Sequence, residues 1–390
     1  MAPTFISLFS GCGGLDLGFL QAGYQSIGAF DINPNALAVL HQNTSSPVFE
    51  TDLSVSQPPA VLLKQADVFL SGSPCQGFST IGKRQLNDPR NQLLLVGGDL
   101  VRKYKPKIYV SENVPGAIVG KHRVYWDQLH QMLKSAGYQT YDLKVKASDF
   151  GVAQERKRIF LVAWRQKVNW SFHLPQNLVS KLSDVLSNLE GLPNHDPKHL
   201  AENSKQHIIA TKIRPGQKLC NVRGGDRAVH TWDIPEVFGS VTMEERSVLE
   251  SMIQLRRRIR VRDFGDADPV PTELLAEKFG ASVIESLEQK EYLRKIGKNH
   301  DITRAFNGKF RRLDGEKLSY TVDTRFGNPN FFLHPQEHRG LTVREAARIQ
   351  GFPDDFIFSG GISEQYSIIG NAVPPPMAKY IADYLKNILL

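Results

Sequence analysis

The chain has 390 residues, 41% hydrophobic and 23% charged, with a net charge of +8. These proportions exclude a disordered or low-complexity chain and suit a globular protein of about two domains, with a basic balance that fits a polyanionic partner. Three cysteines, at 12, 75 and 220, exclude a disulfide framework and give no paired metal-ligand spacing, and no apolar run approaches the roughly 20 residues of a membrane helix. The start, Met1-Ala2-Pro3-Thr4-Phe5, has no basic leader region and runs straight into a strand, so a reduced, cytoplasmic protein is expected.

In chain order, Thr4-Phe5-Ile6-Ser7-Leu8-Phe9 is a β-branched and aromatic run that predicts a strand. It ends at Ser10-Gly11-Cys12-Gly13-Gly14, and Leu15-Asp16-Leu17-Gly18-Phe19 then turns helical. Strand, glycine turn and helix cradle a nucleotide-like ligand against exposed backbone N–H groups, although the turn alone would serve NAD equally well. The strand Ser26–Phe30 ends at Asp31, placed either to accept from ribose hydroxyls or to cap the helix that begins at Pro34. Asp52 follows a third strand-like piece.

Ala66-Asp67-Val68-Phe69-Leu70 reads as a buried parallel strand, so the loop Gly72-Ser73-Pro74-Cys75-Gln76-Gly77-Phe78-Ser79 opens at the carboxyl edge of a sheet, where open α/β folds bind ligands. A cysteine on such a loop is placed for attack; the plainer reading is a buried thiol acting as a small hydrophobe. The strand Lys107–Ser111 brings Glu112 to the same edge, and two neighbouring parallel strands carry a thiol and a carboxylate within reach of one planar ring. Gln154-Glu155-Arg156-Lys157-Arg158 leads into a strand through Trp164, with Arg156 and Arg158 of one parity.

From about residue 170 the patterning changes to loops and short helices. A capping box, Thr242 to Glu245, starts a helix, and the pieces that follow suggest a winged-helix-like insert near 242–298. Arg256, Arg257, Arg258 and Arg260 form the densest positive cluster, expected to track phosphates, with a solvated charged strand as the alternative. A second cluster holds Arg311 and Arg312, ahead of a basic and aromatic stretch from Ser319 to Phe326 that suits a groove floor. Helical spacing returns at 344–350, and a last helix begins near Pro375.

Six pieces in this order, 9–19, 72–79, 111–114, 154–158, 344–353 and 370–375, resemble the C5-cytosine DNA methyltransferases. The resemblance covers about the first 170 residues and the last fifty. It implies an α/β fold, a Rossmann-like S-adenosylmethionine-dependent methyltransferase sheet with helices on both faces, built from residues 1–170 and 335–390. A smaller mixed target-recognition domain would take 171–334. It implies Cys75 as nucleophile at carbon 6, Glu112 at ring N3, Arg158 at the cytosine O2, and Arg156 ordering the pocket and phosphates.

For S-adenosylmethionine it implies Phe9, Ser10, Gly11, Cys12, Gly13, Gly14, Leu15, Asp31, Ile32, Asp52, Leu53, Asn371 and Ala372, with no metal. Gln76 and Ser79 become candidates beside the extruded base. The partners implied are duplex DNA and a restriction endonuclease of the same system, with a monomeric, nucleoid-associated bacterial protein. A transfer-RNA-modifying branch, a non-catalytic binding module and a nucleotide-dependent oxidoreductase are the rivals; the trio Cys75, Glu112 and Arg158 opposes the last two.

Overall fold

The computed structural model describes residues 1–74, 89–168, 170–175, 180–262 and 267–389. Cys75, Gln76 and Ser79 therefore lie outside the described residues. Two compact units emerge, one of Met1–Asp196, Glu316–Thr324 and Thr342–Leu390, the other of Pro197–Gly315 and Arg325–Leu341.

The first unit is built on seven strands: β1 (Thr4–Leu8), β2 (Gln25–Asp31), β3 (Val48–Glu50), β4 (Val68–Ser71), β5 (Ile108–Asn113), β6 (Gln139–Lys146) and β7 (Lys157–Trp164). Their order is β3-β2-β1-β4-β5-β7-β6, with β7 antiparallel to both its neighbours and β1 to β5 parallel. Period-two alternation sends Phe5, Val68, Leu70, Ile108 and Val110 to one apolar cluster, and Ile6, Phe69 and Tyr109 to the other. Each face therefore needs its own helices. The C-terminal helix, Pro375–Leu389, covers the first face through Met377, Ile381 and Leu385; Arg123–Ser135 covers the second through Trp126, Leu129 and Leu133.

That last helix explains two glycines. A Cβ on Gly18 would sit 2.4 Å from Ala378 Cβ, and one on Gly14 2.2 Å from the Val373 carbonyl oxygen. The helix Gly14–Gln21 and the chain's end thus approach closer than any side chain permits.

The division of the chain differs from the one composition suggests. Residues 171–196 belong to the first unit: Trp170 Nε1 donates to the Tyr384 carbonyl at 3.1 Å, and Arg348 donates to the carbonyls of Val185, Ser187 and Asn188. Glu316–Thr324 also returns to it, with Ser319 and the 153–155 backbone exchanging bonds of 2.8 and 2.9 Å. The stretch read as a groove floor is therefore in large part a tie of the first unit.

The second unit holds β8 (Lys218–Cys220), β9 (Ala228–Val229), β10 (Val270–Pro271), β11 (Leu293–Ile296), β12 (Asn299–Ile302), β13 (Asn307–Lys309), β14 (Arg311–Arg312) and β15 (Phe332–Leu333). Around Val248, Leu249, Met252, Leu275, Ile284 and Leu287 lies an apolar core made by the helices Met243–Arg258, Thr272–Phe279 and Ala281–Gln289 and the sheet β10-β12-β11. Helix, strand, two helices, then a hairpin whose second strand pairs with the first strand is winged-helix topology. The capping box closes as expected, with Thr242 and Glu245 exchanging bonds of 2.7 and 3.1 Å.

Candidate active site

Strand order reverses between β1 and β4, so the loops leaving their carboxyl ends diverge and open a crevice. A cavity of about 340 Å³ fills it, inside the roughly 300–1,000 Å³ span of small-ligand sites. Its wall gathers Phe9 to Cys12 after β1, Asp31 and Ile32 after β2, Asp52 and Leu53 after β3, Gly72 to Pro74 after β4, Glu112 on β5 and Arg158 on β7. Gly14, Leu15, Asn371 and Ala372 also line it. Residues more than 350 positions apart thus share one wall.

The glycine turn is held open by a carboxylate. Asp31 Oδ2 accepts from the Gly11 N–H at 2.8 Å, and Oδ1 from the Asn33 N–H at 2.9 Å. Helix Pro34–Thr44 is capped by Asn33 instead, whose side chain accepts from Asn35 and Ala36. Each Asp31 oxygen keeps a lone pair for a further donor. Asp52 accepts from the Ser54 N–H and hydroxyl, which hold its carboxyl below the usual range. Phe9 stands at φ 56° and Gly11 at φ 54°, left-handed values that bend the chain around the cavity. Gly13, expected among the ligand contacts, is off the wall: at φ 83° its Cα faces Leu40, and an added Cβ would lie 2.2 Å from Cδ1.

Glu112 and Arg158 meet because β5 and β7 run antiparallel with Glu112 opposite Phe160, which puts Arg158 diagonally across on the same face. Arg158 Nε lies 2.7 Å from Glu112 Oε1 with both side chains almost closed to solvent. Oε1 makes no well-aligned hydrogen bond and is itself sealed from solvent, held by the charge of Arg158. Burial pushes the Glu112 carboxyl above its ordinary range, opposed by the charges of Arg158 and Arg156. Asn113 Nδ2 donates to Ser73 Oγ at 3.2 Å, tying the loop that leads into Cys75 to the strand that carries Glu112.

Two thiols are set aside by their surroundings. Cys12, on the cavity wall, is buried and contacts the Ile368 carbonyl, and burial pushes its thiol up to about 12. Cys220 is buried in the second unit. A thiol of that character is inert.

Three arginines expected at the pocket or at phosphates, Arg156, Arg256 and Arg312, are buried against protein groups. Arg156 is buried and donates to the carbonyls of Val322, Gly370 and Ala372 at 3.2, 3.0 and 2.8 Å, so it clamps the returning C-terminal segment where Ala372 joins the cavity wall. Arg256 ends a helix, not a strand, and its Nε lies 2.6 Å from Asp301 in a buried pair. Arg312 spends its donors on the carbonyls of Ala210, Ile213, His334 and Glu337. Arg257, Arg258 and Arg260 are exposed, while Arg311 lies half-buried with its guanidinium 5.9 Å from the Phe332 ring.

A parallel sheet with one reversed strand, and a crevice that unites a nucleoside-type cradle with an acid–arginine pair, define a class: an α/β enzyme whose ligand and reacting centre share one strand edge. The chain belongs to the C-5 cytosine-specific DNA methylase family, which it matches over residues 3–387, and is a DNA (cytosine-5-)-methyltransferase. That family uses S-adenosylmethionine. The chain is 29% identical to the type II methyltransferase M.HgiCII of Herpetosiphon aurantiacus, covering 98% of this chain and 96% of that protein. To the type II methyltransferase M.DdeI of Desulfomicrobium norvegicum it is 30% identical, with 99% and 90% covered. Among crystal structures, a prophage-encoded Escherichia coli protein aligns at a TM-score of 0.62 and 26% identity over 100% of this chain and 99% of that one. The S. pombe Dnmt2 methyltransferase shares the fold at a TM-score of 0.57, with 15% identity and 100% of both chains covered. Among the described residues no helix is long and apolar enough to cross a membrane.

Proposed function

We propose that the chain methylates carbon 5 of cytosine within a specific duplex DNA sequence through a covalent adduct with Cys75, and so protects DNA from a paired restriction endonuclease. One observation carries the reading: Glu112, Arg158 and the loop up to Pro74, one residue before Cys75, line the same cavity as the glycine turn, Asp31 and Asp52. The cavity's size, the carboxylates of Asp31 and Asp52 and the backbone turn fit S-adenosylmethionine, which supplies an electrophilic methyl sulfonium when bound. The relatives named type II methyltransferases support the restriction partner.

Carbon 5 of cytosine resists methylation because attack would cost the ring its aromaticity. Addition of the Cys75 thiolate to carbon 6 forms the S–C bond and opens the 5,6 double bond, which makes carbon 5 enamine-like. Glu112, its carboxyl raised by burial, holds the proton that ring N3 takes as charge builds on it. Arg158 adds positive field at O2 and keeps Glu112 oriented. Once carbon 5 carries the methyl group, loss of its proton to a base re-forms the double bond and expels Cys75. Carbon 6 is closed off inside a base stack, so the cytosine turns out of the helix, as methyltransferases require. Gln76 and Ser79, close to Cys75 in sequence, are the candidates to fill the gap, and the exposed Arg257, Arg258 and Arg260 the candidates to meet phosphates.

The test uses duplex DNA whose target cytosine carries fluorine at carbon 5, which cannot leave as the proton does. A mass-stable adduct through Cys75 is expected, with bisulfite sequencing of ordinary DNA giving the modified site. Methylation without any adduct, or on an exocyclic nitrogen, overturns the mechanism.

A further inference from the structure

The winged-helix module of the second unit divides its charge unevenly. The helix that such modules commonly lay in the major groove, Ala281–Gln289, exposes Glu285, and the helix before it, Thr272–Phe279, exposes Glu273 and Glu277. Of the other acids here, Glu288 holds His300 and Glu245 holds Lys290 and Ser286, while Glu291 is exposed but paired with Arg304; Lys278 is an exposed cation beside Glu277. Exposed carboxylates repel phosphates.

The opposite holds at the wing. β11 and β12 join through a two-residue turn, Gly297-Lys298, with Gly297 at φ 61°, a tight and stiff connection. Arg294, Lys295 and Lys298 are exposed along it, and Ile296 is 41% exposed among them. An apolar tip between cations is the composition of minor-groove wedges. Asp301 on β12 lies 2.6 Å from Arg256 and 3.6 Å from Arg294, so one buried carboxylate fastens the wing to the C-terminal turn of helix Met243–Arg258. That turn exposes Arg257 and Arg258.

We propose that this module meets duplex DNA wing first: Arg294, Lys295 and Lys298, with Arg257 and Arg258 beside them, bind phosphates without regard to sequence, and helix Ala281–Gln289 reads no bases. This rests on the proposed function, since the duplex is its substrate. The buried Arg256 then does not touch DNA but is the anchor that holds the wing at a fixed pitch.

The full chain is titrated with a long duplex over a range of salt concentrations, alongside a triple variant, Arg294→Glu, Lys295→Glu and Lys298→Glu, and a single variant, Glu285→Lys. The triple variant is expected to bind at least about tenfold more weakly, with a salt slope flatter by about 0.9 for each phosphate that is no longer neutralised. Thermal unfolding and S-adenosylmethionine binding on the same preparations show that the chain is intact. Glu285→Lys is expected to keep the site preference and to bind within about twofold of wild type. A wild-type slope in the triple variant, or a changed site preference in Glu285→Lys, overturns the wing-first docking. A wild-type chain that binds no duplex overturns the proposed function itself.

Discussion

Two buried acid–arginine pairs, one in each unit, are near twins in geometry. Arg158–Glu112 spans 2.7 Å with side chains 12% and 10% exposed; Arg256–Asp301 spans 2.6 Å with 9% and 10%. They differ in what they face. The first lines a ligand-sized cavity beside a glycine turn, while the second stitches a helix to a hairpin. Burial and charge pairing are therefore common to both pairs; the open space beside the first is what makes it the candidate site.

The largest expected effect lies at the first pair's loop. Cys75→Ser abolishes methyl transfer while duplex binding persists, as a radiolabel assay beside a binding titration would record; residual turnover near the wild-type rate removes Cys75 from the chemistry. Glu112→Gln keeps an N–H donor but cannot give a proton, and a loss of about 10²–10⁴ in kcat is expected. Because burial raises the Glu112 carboxyl, the wild-type rate falls as pH rises through that raised value and the N3 proton is lost; in Glu112→Gln this alkaline limb disappears.

At the second pair the effect moves from rate to stability. Asp301→Asn leaves the buried Arg256 charge without its counterpart and should cost about 3–5 kcal/mol in denaturant unfolding, whereas replacing Arg256 and Asp301 both by apolar residues is close to neutral or stabilising. Equal losses in the single and double variants would refute the view of this pair as a structural tie.

A buried acid without an ion partner sharpens the contrast. Asp16 accepts from Ser7 Oγ at 2.9 Å, yet burial pushes its carboxyl from the ordinary 3.8 up to about 7. Between these values the folded chain keeps a proton that the unfolded chain has released. Its stabilising contribution is therefore complete below about pH 4 and disappears as pH rises through about 7. Asp16→Asn should flatten that fall, on the order of 4 kcal/mol, in unfolding curves taken across the window. The smallest effect is expected at the helix crossing: Gly18→Ala forces a Cβ to within 2.4 Å of Ala378 Cβ and should lower stability by about 1–3 kcal/mol with the cavity unchanged.

Strands and turns announce themselves locally, because alternation, glycine and proline act over a few residues. The strand ends at Asp31, Gly72 and Glu112 were legible for that reason, and so was the capping box at Thr242. What an arginine faces is not local. Arg156, Arg158, Arg256, Arg257 and Arg312 all stand in basic runs, and only the elements packed against them separate clamp, cavity-lining partner, anchor and open surface. Nor did spacing reveal that Glu316–Thr324 returns to the first unit, since that tie is a backbone ladder between segments more than 160 positions apart.

The amino-acid order by itself determined the α/β class, the carboxyl-edge placement of Gly72 to Pro74 and Glu112, and the family pattern, all properties of short segments. The tertiary structure alone decided which charges are sealed inside, that Gly14 and Gly18 serve a helix crossing, and which way the winged-helix module turns its positive side. Those depend on distance through space, and in a folded chain burial and electrostatic interaction follow that distance, not separation along the sequence.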